Sequence, residues 1–168
     1  MNFEAKCLNP YKVPVKVLKE YADAKLPTYG SAQAACADLY AYITFNEATM
    51  VDTDGTNCIV IQPHETVKVS TGLRMAPPEG WYVQIFARSG MATKHGVAPA
   101  NKTGVIDQDY RGVVIMPLHN HSDMPYMIRH GERVAQMAVV PYWQGEFESV
   151  ESLDETERAD GGFGHSGK

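Results

Sequence analysis

The feature that most limits what this chain can fold into is a succession of short apolar segments, each rich in valine, isoleucine or aromatic residues and each followed by turn-forming residues. No long helical segments alternate with them. This rhythm predicts an all-β protein, and we expect a double-sheet jelly roll or a small β-barrel. The predicted strands cover residues 13–18, 38–45, 57–62, 66–75, 81–87, 112–118, 127–129 and 133–143.

Local signals between these strands predict a few short elements. Residues 89–95 can form a helical turn or two that ends at Gly96, and residues 21–25 can form another turn before Pro27. The sequence Pro-Pro-Glu-Gly at 77–80 is typical of a tight turn, and it predicts a hairpin between strands 66–75 and 81–87.

Composition and charge narrow the class of protein. The chain has 168 residues, 44% of them hydrophobic and 21% charged, which indicates one folded domain rather than a disordered chain. A formal net charge of -5 argues against attraction to a nucleic-acid backbone. No segment has the apolar length of a membrane span or the pattern of a signal peptide, so we expect a cytoplasmic protein. We expect a folded body over residues 1–150 and a polar, glycine-rich flexible tail over 151–168.

The three cysteines, Cys7, Cys36 and Cys58, are odd in number and widely spaced. This spacing favours buried thiols in a reducing compartment over a disulfide framework or a zinc site.

The tripeptide Arg88-Ser89-Gly90 follows an apolar strand and precedes the predicted helical turn. A guanidinium, a hydroxyl and free backbone N–H groups could face one anion there. Taken alone, the tripeptide is better explained by an arginine paired with a surface carboxylate and a serine that caps the helix.

Two carboxylates, Asp107 and Asp109, lie two residues apart in a hairpin-like segment bracketed by Gly104 and Gly112. A carboxylate beside a bound polyphosphate can deprotonate a water or anchor Mg²⁺ through water molecules. The alternative is a pair of turn carboxylates that accept hydrogen bonds from backbone N–H groups.

Two further patterns leave alternatives open. The tail carries one aromatic residue, Phe163, with Arg158 before it and Ser166 after it, so it is either a flap that closes over a nucleotide or a frayed end. His119 and His121 could share a metal ion, although no third ligand is evident, and a solvated loop is the other explanation.

In their order along the chain, these segments resemble the five motifs of the trimeric deoxyuridine triphosphatase (dUTPase) family. The matching segments are residues 35–39, 87–96, 101–112, 131–136 and 158–167. The resemblance implies a homotrimeric jelly roll that hydrolyses dUTP to dUMP and pyrophosphate with Mg²⁺, at sites on the subunit boundaries. Such a reaction keeps uracil out of DNA and supplies dUMP for thymidylate synthesis.

The resemblance also implies a role for each matching residue. Asp107 would activate the attacking water, Tyr110 would exclude a ribose 2′-hydroxyl, and Asp38 would help to position the waters of the metal. Uracil would be read in a hairpin slot by Asn101, Val105, Ile106 and Ile115. The phosphates would be held by Arg88, Ser89, Gly90 and Gln136. The tail would close the site with Arg158, Phe163 and Gly164.

The chain departs from the family pattern at three places: Cys36 stands where glycine is usual, His165 lies in the fifth motif without an evident role, and the segment 44–57 is longer than the usual connection. We interpret 44–57 as a surface hairpin, with a partner-binding element as the alternative. Two other functions compete. A deoxycytidine triphosphate deaminase shares the fold but should carry a glutamate base near this hairpin, and a regulatory binder could use the 44–57 segment.

Overall fold

Twelve β-strands and one short helix form the part of the chain that the computed structural model describes, residues 12–162. The strands are β1 Lys16–Lys19, β2 Thr28–Tyr29, β3 Ala37–Tyr40, β4 Met50–Val51, β5 Asn57–Ile61, β6 Thr66–Ala76, β7 Trp81–Phe86, β8 Val97–Pro99, β9 Gly104–Ile106, β10 Val113–Asn120, β11 Tyr126–Arg129 and β12 Arg133–Pro141. The helix α1 spans Ser89–His95. The predicted all-β class is confirmed.

The strands form three antiparallel sheets that enclose one core. A four-stranded sheet has the order β1-β6-β10-β8, a five-stranded sheet has the order β2-β3-β12-β7-β9, and a three-stranded sheet has the order β11-β5-β4. Side chains alternate along the strands, so one face of each large sheet is apolar and buried. Leu39, Val83 and Val69 meet in this core and are fully buried. The arrangement is a jelly roll.

The turn at residues 77–80 corrects one prediction. It joins β6 to β7, but these strands lie in different sheets and do not pair with each other. The predicted hairpin is therefore wrong. Turn residues specify a local reversal of the chain, whereas pairing depends on free strand edges, and both edges of β6 are already occupied by β1 and β10.

The predicted helix at 89–95 is confirmed, and it ends where Gly96 adopts a left-handed conformation with φ of 69°. Residues 21–25 form only a turn, closed by a hydrogen bond from the Ala24 N–H to the Tyr21 carbonyl. Within the described range, no helix has the length and apolarity needed to cross a bilayer.

The segment 44–57 forms the predicted surface hairpin, because β4 pairs with β5. Its loop is organised by Asp52, whose Oδ1 accepts hydrogen bonds from the N–H groups of Asp54 and Thr56. The other oxygen, Oδ2, is buried and lies 3.3 Å from Nη1 of Arg129 without forming an aligned hydrogen bond. This ion pair ties the insertion to β11.

Candidate active site

Three neighbouring strands of the five-stranded sheet bring polar residues from distant parts of the chain side by side. Gln136 of β12 stands opposite Asp38 of β3 on one side and Phe86 of β7 on the other. Directly paired residues of antiparallel strands point to the same face, so Asp38 and Gln136 share one face. Gln136 uses its side-chain amide to donate to the Ala87 carbonyl at 2.8 Å, just before Arg88.

Arg88 is fixed by this group of residues. Its Nε donates to Asp38 Oδ1 at 2.9 Å, and its Nη1 donates to the Arg133 carbonyl at 2.9 Å. The Arg133 guanidinium then binds the second carboxylate oxygen, with Nη1 at 3.2 Å from Asp38 Oδ2. The Asp38 side chain is only 15% exposed and the Arg88 side chain 27%, so the arrangement presents two oriented cations around one partly buried carboxylate.

Ser89 and Gly90 follow as the first residues of α1 and are both exposed. Ser89 does not cap the helix: Arg88 occupies the cap position, and no side chain forms a capping hydrogen bond. The helix is anchored by buried Met91 and by the His95 ring, whose centroid lies 4.9 Å from that of Tyr126. Both first-turn residues are therefore free to face a ligand while the helix behind them is packed.

The loop at residues 107–112 crosses between two sheets. It leaves β9, which pairs with β7, and enters β10, which pairs with β6 and β8. The predicted hairpin-like frame is therefore wrong, since β9 and β10 do not pair with each other. A tight turn begins the loop, closed by a hydrogen bond from the Tyr110 N–H to the Asp107 carbonyl at 3.2 Å.

Side chains give this crossing loop most of its hydrogen bonds. The Arg111 guanidinium donates to the carbonyls of Gln108 and Tyr110, and the Tyr110 hydroxyl donates to the Val113 carbonyl at 3.1 Å. Tyr142, which follows β12, donates its hydroxyl to the Gln108 side-chain oxygen at 3.0 Å. The loop therefore has a defined shape although it carries no ladder of paired strands.

Asp107 is exposed at the start of this loop, and within residues 12–162 its carboxylate accepts no hydrogen bond from another group. The same holds for Asp109. The alternative interpretation of two turn carboxylates that satisfy backbone N–H groups is thus not what the described part of the chain displays. A carboxylate with free lone pairs at the surface can accept a proton from water.

The residues expected to read a base lie on either side of this loop. Asn101 is exposed in the turn between β8 and β9. Val105 and Ile115 are exposed by 55% and 46%, which is high for such large apolar side chains, and Ile115 follows an irregularity in the pairing of β10 with β6. Ile106 instead packs against the core. The pair Val105 and Ile115 is therefore open to a ligand or to another chain.

The two halves of the site are far apart within one chain. Ile106, next to Asp107, pairs with Val83, whereas Arg88 lies five positions after Val83, two residues beyond the end of β7 and with extended backbone. At about 3.3 Å per residue, the two positions differ by roughly 17 Å along the strand. Arg88 also points across β12 to β3, on the side away from β9.

A cavity of about 620 Å³ lies beside Asp107, and the charges of its lining agree with the separation of Asp107 from Arg88. Among the described residues, its lining includes the carboxylates of Glu79, Asp107 and Asp109 but no lysine or arginine. Three carboxylates without a cation repel a polyphosphate. The cations needed by an anionic ligand near Asp107 must therefore come from elsewhere.

The histidine pair has no third ligand-type side chain beside it in the described part of the chain. The rings of His119 and His121 lie 4.3 Å apart, and His119 is hydrogen bonded to the Thr66 hydroxyl. Local desolvation, and after it the positive charge of nearby His119, lowers the pKa of His121. No group of three or more ligand-type side chains converges within residues 12–162.

The tail contributes only part of its expected residues. Arg158 donates to the Gly161 carbonyl at 2.8 Å within a local turn. Phe163, Gly164 and His165 lie outside the described residues. Residues 142–162 contain no strand or helix, and the large side chains of Trp143, Phe147 and Leu153 are more than four-fifths exposed there.

Comparison with known proteins identifies the family. The family model described as dUTPase matches residues 22–167. A deoxyuridine 5'-triphosphate nucleotidohydrolase of Hydrogenobaculum sp. is 43% identical over 156 residues, covering 93% of this chain and 98% of the relative. One from Wolbachia sp. subsp. Brugia malayi is 40% identical over 162 residues, covering 95% of this chain and 96% of the relative.

The fold agrees with the same family. A dUTPase of Staphylococcus bacteriophage 80alpha, solved with dUPNHPP, superposes with a TM-score of 0.77 at 24% identity, covering 92% of this chain and 99% of that one. With the fold, the spacing of the motifs and the relatives in agreement, this chain belongs to the dUTPase family.

Proposed function

We propose that this protein hydrolyses dUTP to dUMP and pyrophosphate at a site assembled from more than one copy of the chain. The observation that carries the proposal is the separation between Asp107 and Arg88. Asp107 and Arg88 must act on one triphosphate, yet Val83, the strand partner of Ile106 beside Asp107, lies roughly 17 Å from Arg88 along the strand direction. A second copy that brings its Arg88 region to Asp107 completes the site, and a homotrimer satisfies this requirement with three equivalent sites.

In this site the phosphates are bound by the cationic half. Arg88, held by Asp38, supplies an oriented guanidinium, and the exposed Ser89 and Gly90 supply a hydroxyl and backbone N–H groups. Gln136 holds the backbone just before Arg88 in place and is near enough to join the phosphate contacts. Fixed donors of this kind stabilise the charge that develops on the phosphates during displacement, and they need no reorganisation.

The other half of the site binds the nucleoside. Asn101 supplies an amide for the uracil edge, and the backbone around Val105 and Ile106, with Ile115, forms the walls. In this proposal the Tyr110 ring packs against deoxyribose, so that a ribose 2′-hydroxyl collides with it. Rigid walls are needed because an elastic apolar pocket rejects one additional small group only about 10 to 200-fold.

Asp107 accepts the proton of the attacking water. Its carboxylate is exposed and unengaged in the described part of the chain, so it can hold a water in line with the α-phosphorus. The developing negative charge passes to the pyrophosphate leaving group, which the arginines neutralise.

The residues present fit a magnesium ion bound mainly by substrate phosphates. Mg²⁺ keeps several waters and takes one or two carboxylates, so it requires no protein cage. Both oxygens of Asp38 contact arginines, but each retains a second lone pair that can accept a hydrogen bond from a metal-bound water. When bound, the ion supplies charge neutralisation between the phosphates.

The tail is proposed to close the site. Arg158 pairs with the terminal phosphate, and Phe163 with Gly164 covers the base. The exposed apolar side chains between residues 143 and 153 support this proposal, because a segment without strand or helix that leaves Trp143 and Phe147 unburied is suited to lie on another copy. The expected cytoplasmic location stays a prediction.

The test of a shared site is complementation. Arg88→Ala and Asp107→Asn proteins are each expected to be inactive alone. After they are mixed, unfolded and refolded together, about a quarter of the sites should pair an intact Arg88 with an intact Asp107, and pyrophosphate release should return to about that fraction. Light scattering on the unmodified protein should report three chains. No recovery of activity, or an active monomer, would overturn the shared site.

The substrate is tested by measuring pyrophosphate release with dUTP, dCTP, dTTP and UTP, with and without Mg²⁺. Strong preference for dUTP is expected. Deamination of dCTP would instead support the deaminase alternative, which none of the relatives described above favours.

A further inference from the structure

A charged side chain of β6, the strand that neighbours β10, holds the loop that carries Tyr110. Arg74 lies in β6, and its Nη1 donates to the Arg111 carbonyl at 2.9 Å. This carbonyl belongs to the residue that lies between Tyr110 and Gly112 in the sequence. Since β9 and β10 do not pair, the Arg111 carbonyl has no strand partner, and the guanidinium takes that place.

Arg74 is itself held in place. Its backbone is paired on both sides, with Leu18 of β1 and Val113 of β10. Its Nε donates to Glu20 Oε2 at 2.7 Å, and both side chains are 36% exposed. This hydrogen bond lowers the pKa of Glu20 and raises that of Arg74. The planar guanidinium therefore bridges Glu20 and the loop in a fixed orientation.

The backbone of Glu20 is itself held in place by neighbouring residues. Its N–H donates to the Gly72 carbonyl at 2.8 Å, which continues the pairing of β1 with β6. The next residue, Tyr21, stacks on Tyr42 with ring centroids 4.4 Å apart and planes 7° from parallel. The hydrogen bonds from Glu20 to Arg74 and from Arg74 to the Arg111 carbonyl thus form an unbroken series.

We propose that Arg74 and Glu20 are positioning residues that set the sugar selectivity of this enzyme by fixing the loop that carries Tyr110. The proposal rests on the role proposed above for Tyr110. Losing the bond to the Arg111 carbonyl lets the peptide between Arg111 and Gly112 rotate, so the Tyr110 ring, whose hydroxyl is bonded to the Val113 carbonyl, no longer forms a rigid wall. A flexible wall admits a ribose 2′-hydroxyl that a fixed one rejects.

The test compares kcat/KM for UTP and dUTP. In Arg74→Ala, the UTP to dUTP ratio should rise about tenfold, the effect expected from the loss of one charge-assisted hydrogen bond. The ratio for Arg74→Lys should fall between those of the unmodified protein and Arg74→Ala, because a single ammonium group cannot bind Glu20 and the Arg111 carbonyl with the planar geometry of a guanidinium. Glu20→Gln should shift the ratio less, and it should add nothing in an Arg74→Ala background. Lys68→Ala, which removes an exposed cation from the same strand, should leave the ratio unchanged.

The controls separate this inference from the function on which it rests. Tyr110→Ala should itself raise the ratio, and Arg74→Ala should add little to it. An unchanged ratio in Tyr110→Ala would overturn the role of Tyr110 and this inference together. A raised ratio in Tyr110→Ala with no change in folded Arg74→Ala would overturn the inference alone. If Arg74→Ala does not fold, Arg74→Lys and Glu20→Gln decide the matter, and a lower melting temperature with an unchanged ratio would count against positioning.

Discussion

The hydroxyl end of the Tyr110 side chain lies beside Gly112, so closely that a β-carbon at position 112 would stand 2.5 Å from Tyr110 Cζ and nearer still to the hydroxyl oxygen. Only glycine leaves room for the ring, whose hydroxyl donates to the Val113 carbonyl. The orientation of the proposed sugar wall therefore depends on a residue that has no side chain.

This contact predicts that Gly112→Ala displaces the Tyr110 ring. The UTP to dUTP ratio of specificity constants should rise, in the same direction as for Tyr110→Ala, because both changes open the sugar wall. The matched control is Gly30→Ala, where a β-carbon would meet nothing within 4 Å. Parallel kinetics on the two nucleotides measure the effect, and equal ratios in Gly112→Ala and the unmodified protein would contradict it.

Asp107→Asn should abolish turnover while dUTP still binds. The amide has the shape of the carboxylate but cannot accept a proton from water, and loss of a general base typically costs about 10² to 10⁴-fold. Asp109→Asn is the control, since that carboxylate is equally exposed two residues further on. Single-turnover kinetics and calorimetric binding separate the two effects. A folded Asp107→Asn protein with nearly normal turnover would show that another group is the base.

Much of the local structure could be predicted because it depends on neighbours in sequence. The helix 89–95 ends at Gly96 as expected, since a left-handed glycine stops a helix wherever it occurs. The predicted hairpin at 77–80 was wrong because strand pairing depends on residues that are distant in the sequence. Whether β6 meets β7 or instead β1 and β10 depends on the packing of whole sheets.

The candidate site also combines features that the sequence could predict with features that it could not. The motif around Arg88 is visible in the sequence, but its partner Asp38 lies 50 residues away and Arg133 lies 45 residues away. Their contact follows from the register of β3 against β12, which no local pattern specifies. Sequence reasoning also missed Arg74 and Glu20, which are 54 residues apart and carry no motif.

Asp38→Asn should lower kcat/KM by about a hundredfold. The amide offers one acceptor oxygen where the carboxylate offers two, so it cannot hold both Arg88 and Arg133, and a displacement of about 1 Å in a substrate-binding group can have an effect of that size. Steady-state kinetics measure the loss. Asp54→Asn, an exposed carboxylate on the 44–57 hairpin, should have no effect. Unchanged kinetics in Asp38→Asn would mean that Arg88 orients without its carboxylate.

Tyr42→Phe should alter stability in alkaline solution. Burial, followed by the hydrogen bond to Asp23, raises the pKa of Tyr42 to about 12. Because the folded pKa exceeds the unfolded value of about 10, the contribution of the neutral hydroxyl is complete below pH 10 and is lost as the pH rises through about 12. The stability difference between the unmodified protein and Tyr42→Phe should therefore shrink between pH 10 and 12. Tyr29→Phe, at an exposed tyrosine, should show no such change, and a constant difference for Tyr42→Phe would contradict the assignment.

Removing the chain after Glu157 should separate stability from catalysis. The residues described beyond that point, 158–162, contribute nothing to the buried core, so the melting temperature should stay within a few degrees of the unmodified value. The specificity constant for dUTP should fall by orders of magnitude, because Arg158 and Phe163 can no longer close over the nucleotide. Closing the tail costs conformational entropy, which the full triphosphate offsets better than the monophosphate product. Protease cleavage of the tail should therefore be fast without ligand, slow with a non-hydrolysable dUTP analogue plus Mg²⁺, and fast again with dUMP. Full activity after truncation, or equal cleavage rates in all three states, would show that the tail is only a frayed end.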